Sequence, residues 1–333
     1  MTMTDSQELP APPRLIPALV AGFDAIANHV LLIVFPFILD LLIWFAPHLR
    51  LKNLIETLIA EITTLSISNG AEITNMFEAG KEVWSLMAEQ INLSVVLRSY
   101  PVGIPSLMAA SSPLENPLGS PTMLEIPSIG IAFLIILLLT GVGLVLGTLY
   151  YLLVSQIALN GSFQWKQIFS EWPRTSLQVI LLALLWVGLF MMVSVPASCL
   201  MSVATVAGLP LGQLSVLLYG GLLIWLIFPL LFSPHGIFTN QLKAFASIRS
   251  SIRMTNTTLS TTVLFVGTVF ILSQGLDLLW QIPPANSWLA LLGIAGHAFV
   301  VTSLLSASFI YYQSAQNWIS RLEMKRQSTL NAS

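Results

Sequence analysis

The sequence predicts an all-α, polytopic transmembrane helix bundle of about six spanning helices, with interfacial elbow helices and a helical extracytoplasmic loop. Three observations carry that prediction. Only 8% of the 333 residues are charged and 55% are hydrophobic, whereas a water-facing surface takes roughly a quarter of its residues as charges. Six stretches of about 20 apolar residues recur, the length a helix needs to cross the hydrocarbon core. Outside the long first loop, Lys and Arg fall in the connections on one face of those stretches, as membrane insertion favours.

Residues 1–28 open with MTMTDSQELPAPPR, which lacks the basic start and early apolar core of a cleavable signal. They are expected to form a cytoplasmic tail and an interfacial helix built on Ile16, Leu19, Val20, Phe23 and Ala27. The first crossing, 29–46, then serves as an uncleaved insertion signal. Residues 47–128 form the extracytoplasmic loop. Two stripes at helical spacing lie in it: Leu51, Leu54, Ile55, Leu58, Ile59, Ile62 and Leu65, then Ile73, Phe77, Trp84, Met87 and Ile91. From Pro101 to Pro127 the loop is rich in Pro, Ser and Gly and reads as an irregular tether. Two readings fit the whole loop: a helical cap lying on the outer surface, or a subdomain that binds a ligand or partner.

A five-helix membrane core follows at 129–312. Its crossings are expected at 129–155, 176–203, 212–233, 258–280 and 287–312, where charged residues are nearly absent. Pro196 inside the third crossing leaves the count open between five and seven. Tight hairpins are expected around Gly208-Leu209-Pro210 and Pro283-Pro284-Ala285-Asn286. Two connections read as elbow helices in the headgroup zone. The first carries Trp165, Ile168, Phe169 and Trp172, ended by Pro173; the second carries Phe238, Leu242, Phe245, Ile248 and Ile252. They make the core look like repeated helix pairs. Residues 313–333 are expected to be a cytoplasmic tail.

Orientation follows from Arg14, Lys166, Arg174, Lys243, Arg249, Arg253, Arg321, Lys325 and Arg326, all on one face. Both termini are therefore expected in the cytoplasm of a multi-pass plasma-membrane protein. Arg50 and Lys52 oppose this locally, but a long loop translocates largely regardless of its charge.

The second elbow also carries a resemblance. Its run Phe232-Ser233-Pro234-His235-Gly236-Ile237-Phe238, then Ala246-Ser247-Ile248-Arg249-Ser250, ending near Asn256, resembles the membrane domain fused to some bacterial glycerophosphodiester phosphodiesterases and related stand-alone six-helix proteins. The likeness covers residues 129–320. It implies a six-helix membrane fold and carries over no catalytic residue. The chain has no room for the soluble phosphodiesterase barrel, so that activity is not implied.

Several function classes are excluded or unsupported. Cys199 is the lone cysteine, which rules out an intrachain disulfide or a cysteine-built metal site. No HExxH, GxSxG or Walker loop occurs, so no metal and no cofactor is expected. A net charge of −2 offers nucleic acid no basic field. The expected partner is the lipid bilayer, with other membrane proteins or a second copy left open. Asn92-Leu93-Ser94 matches a glycosylation triplet.

Ionisable groups inside crossings are the default functional candidates. Asp24 and His29 sit where headgroups and water solvate them. Asp40 and Asp277 stand at matched depth below the outer surface, with Gln274 one turn from Asp277 and His297 on the hairpin partner helix. Those four form the candidate binding site, an outward-opening cleft in which Gln274 or Arg50 shares water with the carboxylates. Gly143 and Gly147 make a GxxxG pair, and Gly293 and Gly296 lie on the sixth crossing; all four are expected to pack helix against helix. Three functions compete: a non-enzymatic envelope or assembly factor, a small-solute transporter or permease, and an intramembrane enzyme. The first is favoured, because only His297 lies near mid-bilayer and no nucleophile or metal constellation shows.

Overall fold

A computed structural model describes residues 12–67, 84–85, 88, 91–206 and 212–332. The chain is an all-α polytopic membrane protein. Its main helices are α1 (Leu15–Ala27), α2 (Val34–Phe45), α3 (Lys52–Ile67), α4 (Ile129–Asn160), α5 (Trp165–Val206), α6 (Gly212–Ile227), α7 (Ser233–Asn240), α8 (Ala244–Thr257), α9 (Leu259–Trp280) and α10 (Ala290–Ala332). Five spans are long and apolar enough to cross a bilayer, and a sixth arises if Leu15–Ala27 and Val30–Phe45, bent by 90°, make one span. Val30–Phe45 alone extends about 24 Å at 1.5 Å per residue, short of a hydrocarbon core of about 30 Å. The chain divides into two compact units.

The elbow unit comprises the N-terminal residues to His29, Tyr151–Leu272 and Thr302 onward. Its first elbow is not a separate helix. Trp165–Trp172 is the start of α5, which continues through both Pro173 and Pro196. Proline removes one backbone hydrogen bond per site, and the long apolar run around it holds the helix together. The second elbow is a separate helix, but not over 238–253. Phe238 belongs to α7, Gln241 turns left-handed with φ of 50°, and α8 begins at Ala244. The inward face of α8 is Ser247, Ser251, Met254 and Thr255, whereas Phe245 and Ile252 of the predicted stripe point outward and are exposed. An apolar face with no protein against it and cationic residues beside it suits the headgroup boundary.

Those inward serines repair a broken helix. Pro229 interrupts the α6–α7 span, which tightens into a 3-10 turn at Phe228–Leu230. Ser251 Oγ donates to the freed carbonyl of Pro229 at 2.6 Å, and Ser247 Oγ donates to Ser233 O. In lipid such carbonyls need a partner from the protein. Gly236 is required here, since a Cβ would lie 2.3 Å from Ser247 Oγ. α10 runs far past 312, so the expected tail is a helical continuation. At about 65 Å the helix is twice the hydrocarbon thickness.

The loop unit comprises Val30–Tyr150 and Ser273–Val301. It contains the one β-sheet among the described residues. β1 (His48–Arg50) pairs in parallel with β2 (Met123–Glu125), placing Arg50 opposite Glu125. This pairing sets the end of α2 and the start of α4 on the same side. It also explains Arg50 and Lys52: one faces Glu125 across the strands, and the other lies 3.8 Å from Glu56. α3 matches the first predicted stripe, with Leu51 and Leu54 packed beside Leu93 and Ile126. The second stripe lies mostly outside the described residues, as does the Gly208-Leu209-Pro210 turn.

The largest correction concerns residues 93–116, expected to be part of an outer cap and tether. From the strand level, Leu93 packs near Ala132. The Leu97 carbonyl then sits against Gly143, where a Cβ would meet it at 2.4 Å, and Gly103 lies against Gly147 at 2.9 Å. Those glycines are about 21 and 27 Å along α4 from its first residue. The start of α4 is already a lipid-type surface, with Ile129, Phe133, Leu134 and Leu137 exposed. The chain then climbs, through Ser106 at Asp40, to Asn116, whose Nδ2 donates to Trp44 O. Residues 93–116 thus return to the end of α2 after running alongside the apolar helix α4. Such non-helical backbone is tolerated there only when protein covers it, and Val102, Ile104, Ser106 and Leu107 are all buried. The GxxxG pair therefore receives an irregular segment rather than a helix.

Candidate functional site

The site lies in the loop unit and is built from three helices and the entering segment. Asp40 on α2, Asp277 on α9 and His297 on α10 stand about 5–10 Å inside the same ends of their helices at 1.5 Å per residue. Trp44 Nε1 ties the end of α2 to the α9–α10 turn by donating to Ala285 O at 3.0 Å. Gly293 and Gly296 let α10 close on Trp280, whose carbonyl would lie 2.2 Å from a Cβ at 293.

Asp40 is fully buried. Its Oδ1 accepts from Ser106 Oγ at 2.5 Å and from the Met108 amide at 2.9 Å. Ser106 Oγ in turn accepts the Ala109 amide at 3.0 Å, so carboxylate and hydroxyl together cap the one-turn helix Met108–Ser111. His297 Nδ1 is 2.6 Å from Asp277 Oδ1. Two buried atoms remain without a partner: Asp40 Oδ2 and His297 Nε2. Leaving a carboxylate oxygen and an imidazole nitrogen unsatisfied in a dry interior is unfavourable by several kcal/mol, unless a proton or ligand completes them.

The structure joins His297 to Asp277 directly. It does not join Gln274, which is exposed, nor Arg50, which faces Glu125. Asp40 takes its hydrogen bonds from Ser106 and Met108 instead. Both were missed in sequence because they lie 66 and 68 residues away in a stretch that read as a tether. Among the described residues no group of three or more His, Cys, Asp or Glu could hold a metal ion. The Asp277–His297 carboxylate–imidazole pair, with Asp40 buried in the same unit, is suited to holding a proton. An apolar crevice of about 270 Å³ lined by Ile38, Leu42, Leu97, Ile104 and Leu146 borders the entering segment.

Other candidates are structural. Asn92 is buried and its Oδ1 accepts from the Ser94 and Leu49 amides, so the glycosylation triplet is a turn cap. In the elbow unit, His29 Nδ1 lies 3.0 Å from Ala25 O. His235, which the sequence offered only within the family pattern, is buried among Phe232, Phe309 and Tyr312, with Nε2 2.7 Å from Ser308 Oγ. No family model matches the chain, and no curated protein or solved structure is significantly similar to it.

Proposed function

We propose that this chain is a small-solute permease whose transport step is coupled to a proton held by Asp40, His297 and Asp277. One observation carries the reading: the segment 93–116 packs along the apolar helix α4 and docks on a buried carboxylate that has an unpartnered oxygen. Irregular backbone meeting intramembrane ionisable groups is how helical transporters make a binding site without exposing polar groups to lipid. The bordering crevice is apolar, which favours a solute with an apolar body. The positive-inside argument supports placing both termini in the cytoplasm of a plasma membrane, with the α9–α10 hairpin outside.

A second reading, the non-enzymatic envelope or assembly factor, is favoured by a different fact. Both hydrogen bonds on Asp40 anchor the chain's own segment, which is what a purely structural carboxylate would do. The chain reconstituted in liposomes with an internal pH dye separates the two. The permease reading expects proton entry driven by an imposed gradient in the presence of a panel of amphipathic solutes. It also expects at least a tenfold loss in Asp40→Asn and His297→Gln, both still folded. Wild-type protein that never moves a proton, with folded variants identical to it, sinks the permease and leaves the structural role. Labelling of Ala110→Cys and Ser328→Cys in a Cys199→Ala background on intact cells checks the orientation. Reaction of the C-terminal position with an impermeant reagent would reverse it.

A further inference from the structure

We infer that the elbow unit holds the phosphate headgroup of an anionic membrane lipid in a cavity between α8 and α10, gripped by Arg249 and Arg253. The cavity measures about 380 Å³, and Arg249, Ser250, Arg253, Gln316 and Ile319 line it. Arg249 and Arg253 are four residues apart and so lie on one face of α8. Next to that face are the exposed Phe245 and Ile252, which belong in the apolar layer. An amphipathic helix with that pattern lies at the boundary, and its guanidiniums then reach headgroup depth.

The charges in the cavity are unevenly used. Arg253 is paired with Glu323 of α10. Arg249 has no hydrogen bond or ion pair among the described residues and is exposed. The floor is polar and ordered: Ser250 Oγ is 3.2 Å from Tyr312 Oη and accepts from Gln316 Nε2 at 3.0 Å. A guanidinium fork binds a phosphate through two parallel hydrogen bonds, and a Gln and a Ser can complete the remaining oxygens. Ile319 and Met254 on the wall suit the glycerol and first methylenes of a lipid. A basic pocket between helices at headgroup level is the physical description of an anionic-lipid site. Free phosphate shares the headgroup chemistry but gains nothing from the apolar wall.

The test is native mass spectrometry of the purified chain in neutral detergent with phosphatidylglycerol or phosphatidylcholine added, and separately with inorganic phosphate. Phosphatidylglycerol is expected to be retained in preference to phosphatidylcholine. Arg249→Gln should weaken that retention roughly fivefold, and its melting temperature in phosphatidylcholine should match wild type because no internal bond is lost. Glu323→Gln releases Arg253 and should tighten the lipid, a gain that misfolding cannot imitate. Lys166→Gln, a charge away from the cavity, should change nothing. The proposal fails if Arg249→Gln leaves the preference intact, if Lys166→Gln lowers it equally, or if Glu323→Gln does not raise it. Inorganic phosphate binding as tightly as the lipid would also overturn it.

Discussion

The two units solve the same problem, polar groups at membrane depth, with different chemistry. In the elbow unit the inward groups around the broken α6–α7 span are neutral: Ser247 and Ser251 on the Ser233 and Pro229 carbonyls, Thr262 Oγ1 3.1 Å from Tyr311 Oη, and the His235–Ser308 pair. No Asp or Glu is buried there among the described residues. In the loop unit the inward groups are Asp40, Asp277 and His297; buried atoms without a partner occur in both units, among them Asp40 Oδ2 and His297 Nε2 here and His235 Nδ1, Thr255 Oγ1 and Ser306 Oγ there. Neutral hydroxyls are enough to repair a helix, since each needs only one acceptor. Ionisable groups are far more expensive to bury. The buried carboxylate lies in the unit that also admits an irregular segment, whereas the break in the elbow unit is met by hydroxyls.

The comparison can be broken most forcefully at the glycines. Gly143→Leu or Gly147→Leu would push a side chain into the backbone of 97–103, and a destabilisation of roughly 3 kcal/mol or outright loss of folded protein is expected. Gly141→Leu, where a Cβ meets open space, should be neutral. Melting curves in detergent compare them. Equal behaviour of Gly141→Leu and Gly143→Leu would mean that the segment does not dock on α4.

A smaller effect sharpens the contrast at Asp40. Asp40→Leu strands the Ser106 hydroxyl and the Met108 amide and should reduce stability by roughly 3 kcal/mol. Asp40→Asn keeps an acceptor, so its melting curve should stay close to wild type while proton movement is lost. Smaller again, Ser247→Ala and Ser251→Ala should each reduce stability by about 1 kcal/mol and leave that movement unchanged. A loss of transport in a fully folded Ser247→Ala variant would erase the division between the units.

The mildest prediction concerns pH. His48 lies just beyond α2, and burial holds its imidazole below the ordinary value, with Arg50 adding to the effect and the Ile43 backbone opposing it. As pH falls below the ordinary imidazole range, the unfolded chain takes up a proton that the folded chain refuses. Stability should therefore decline on acidification and be unaffected above that range. Melting temperatures between neutral pH and about pH 5 should show a shallower slope in His48→Gln. An unchanged slope would show that other groups set it.

Sequence alone determined that this is a helical membrane protein and where its long apolar helices run, and it singled out Asp40, Asp277 and His297 as ionisable groups inside them. Those conclusions rest on solvation: a charge at membrane depth is so unfavourable that its presence can be read without coordinates. Sequence also marked Gly143 and Gly147 as sites of close approach, but not what approaches. Only tertiary structure decided that Pro173 sits inside a helix, that α8 turns its serines rather than its phenylalanine inward, and that residues 93–116 pack along α4. Their polar, proline-rich composition reads as a surface tether because local composition reports an exposed backbone and a protein-covered one alike. What covers that backbone comes from α2 and α4. The carboxylate that anchors it lies more than sixty residues away, beyond any periodicity the chain could display.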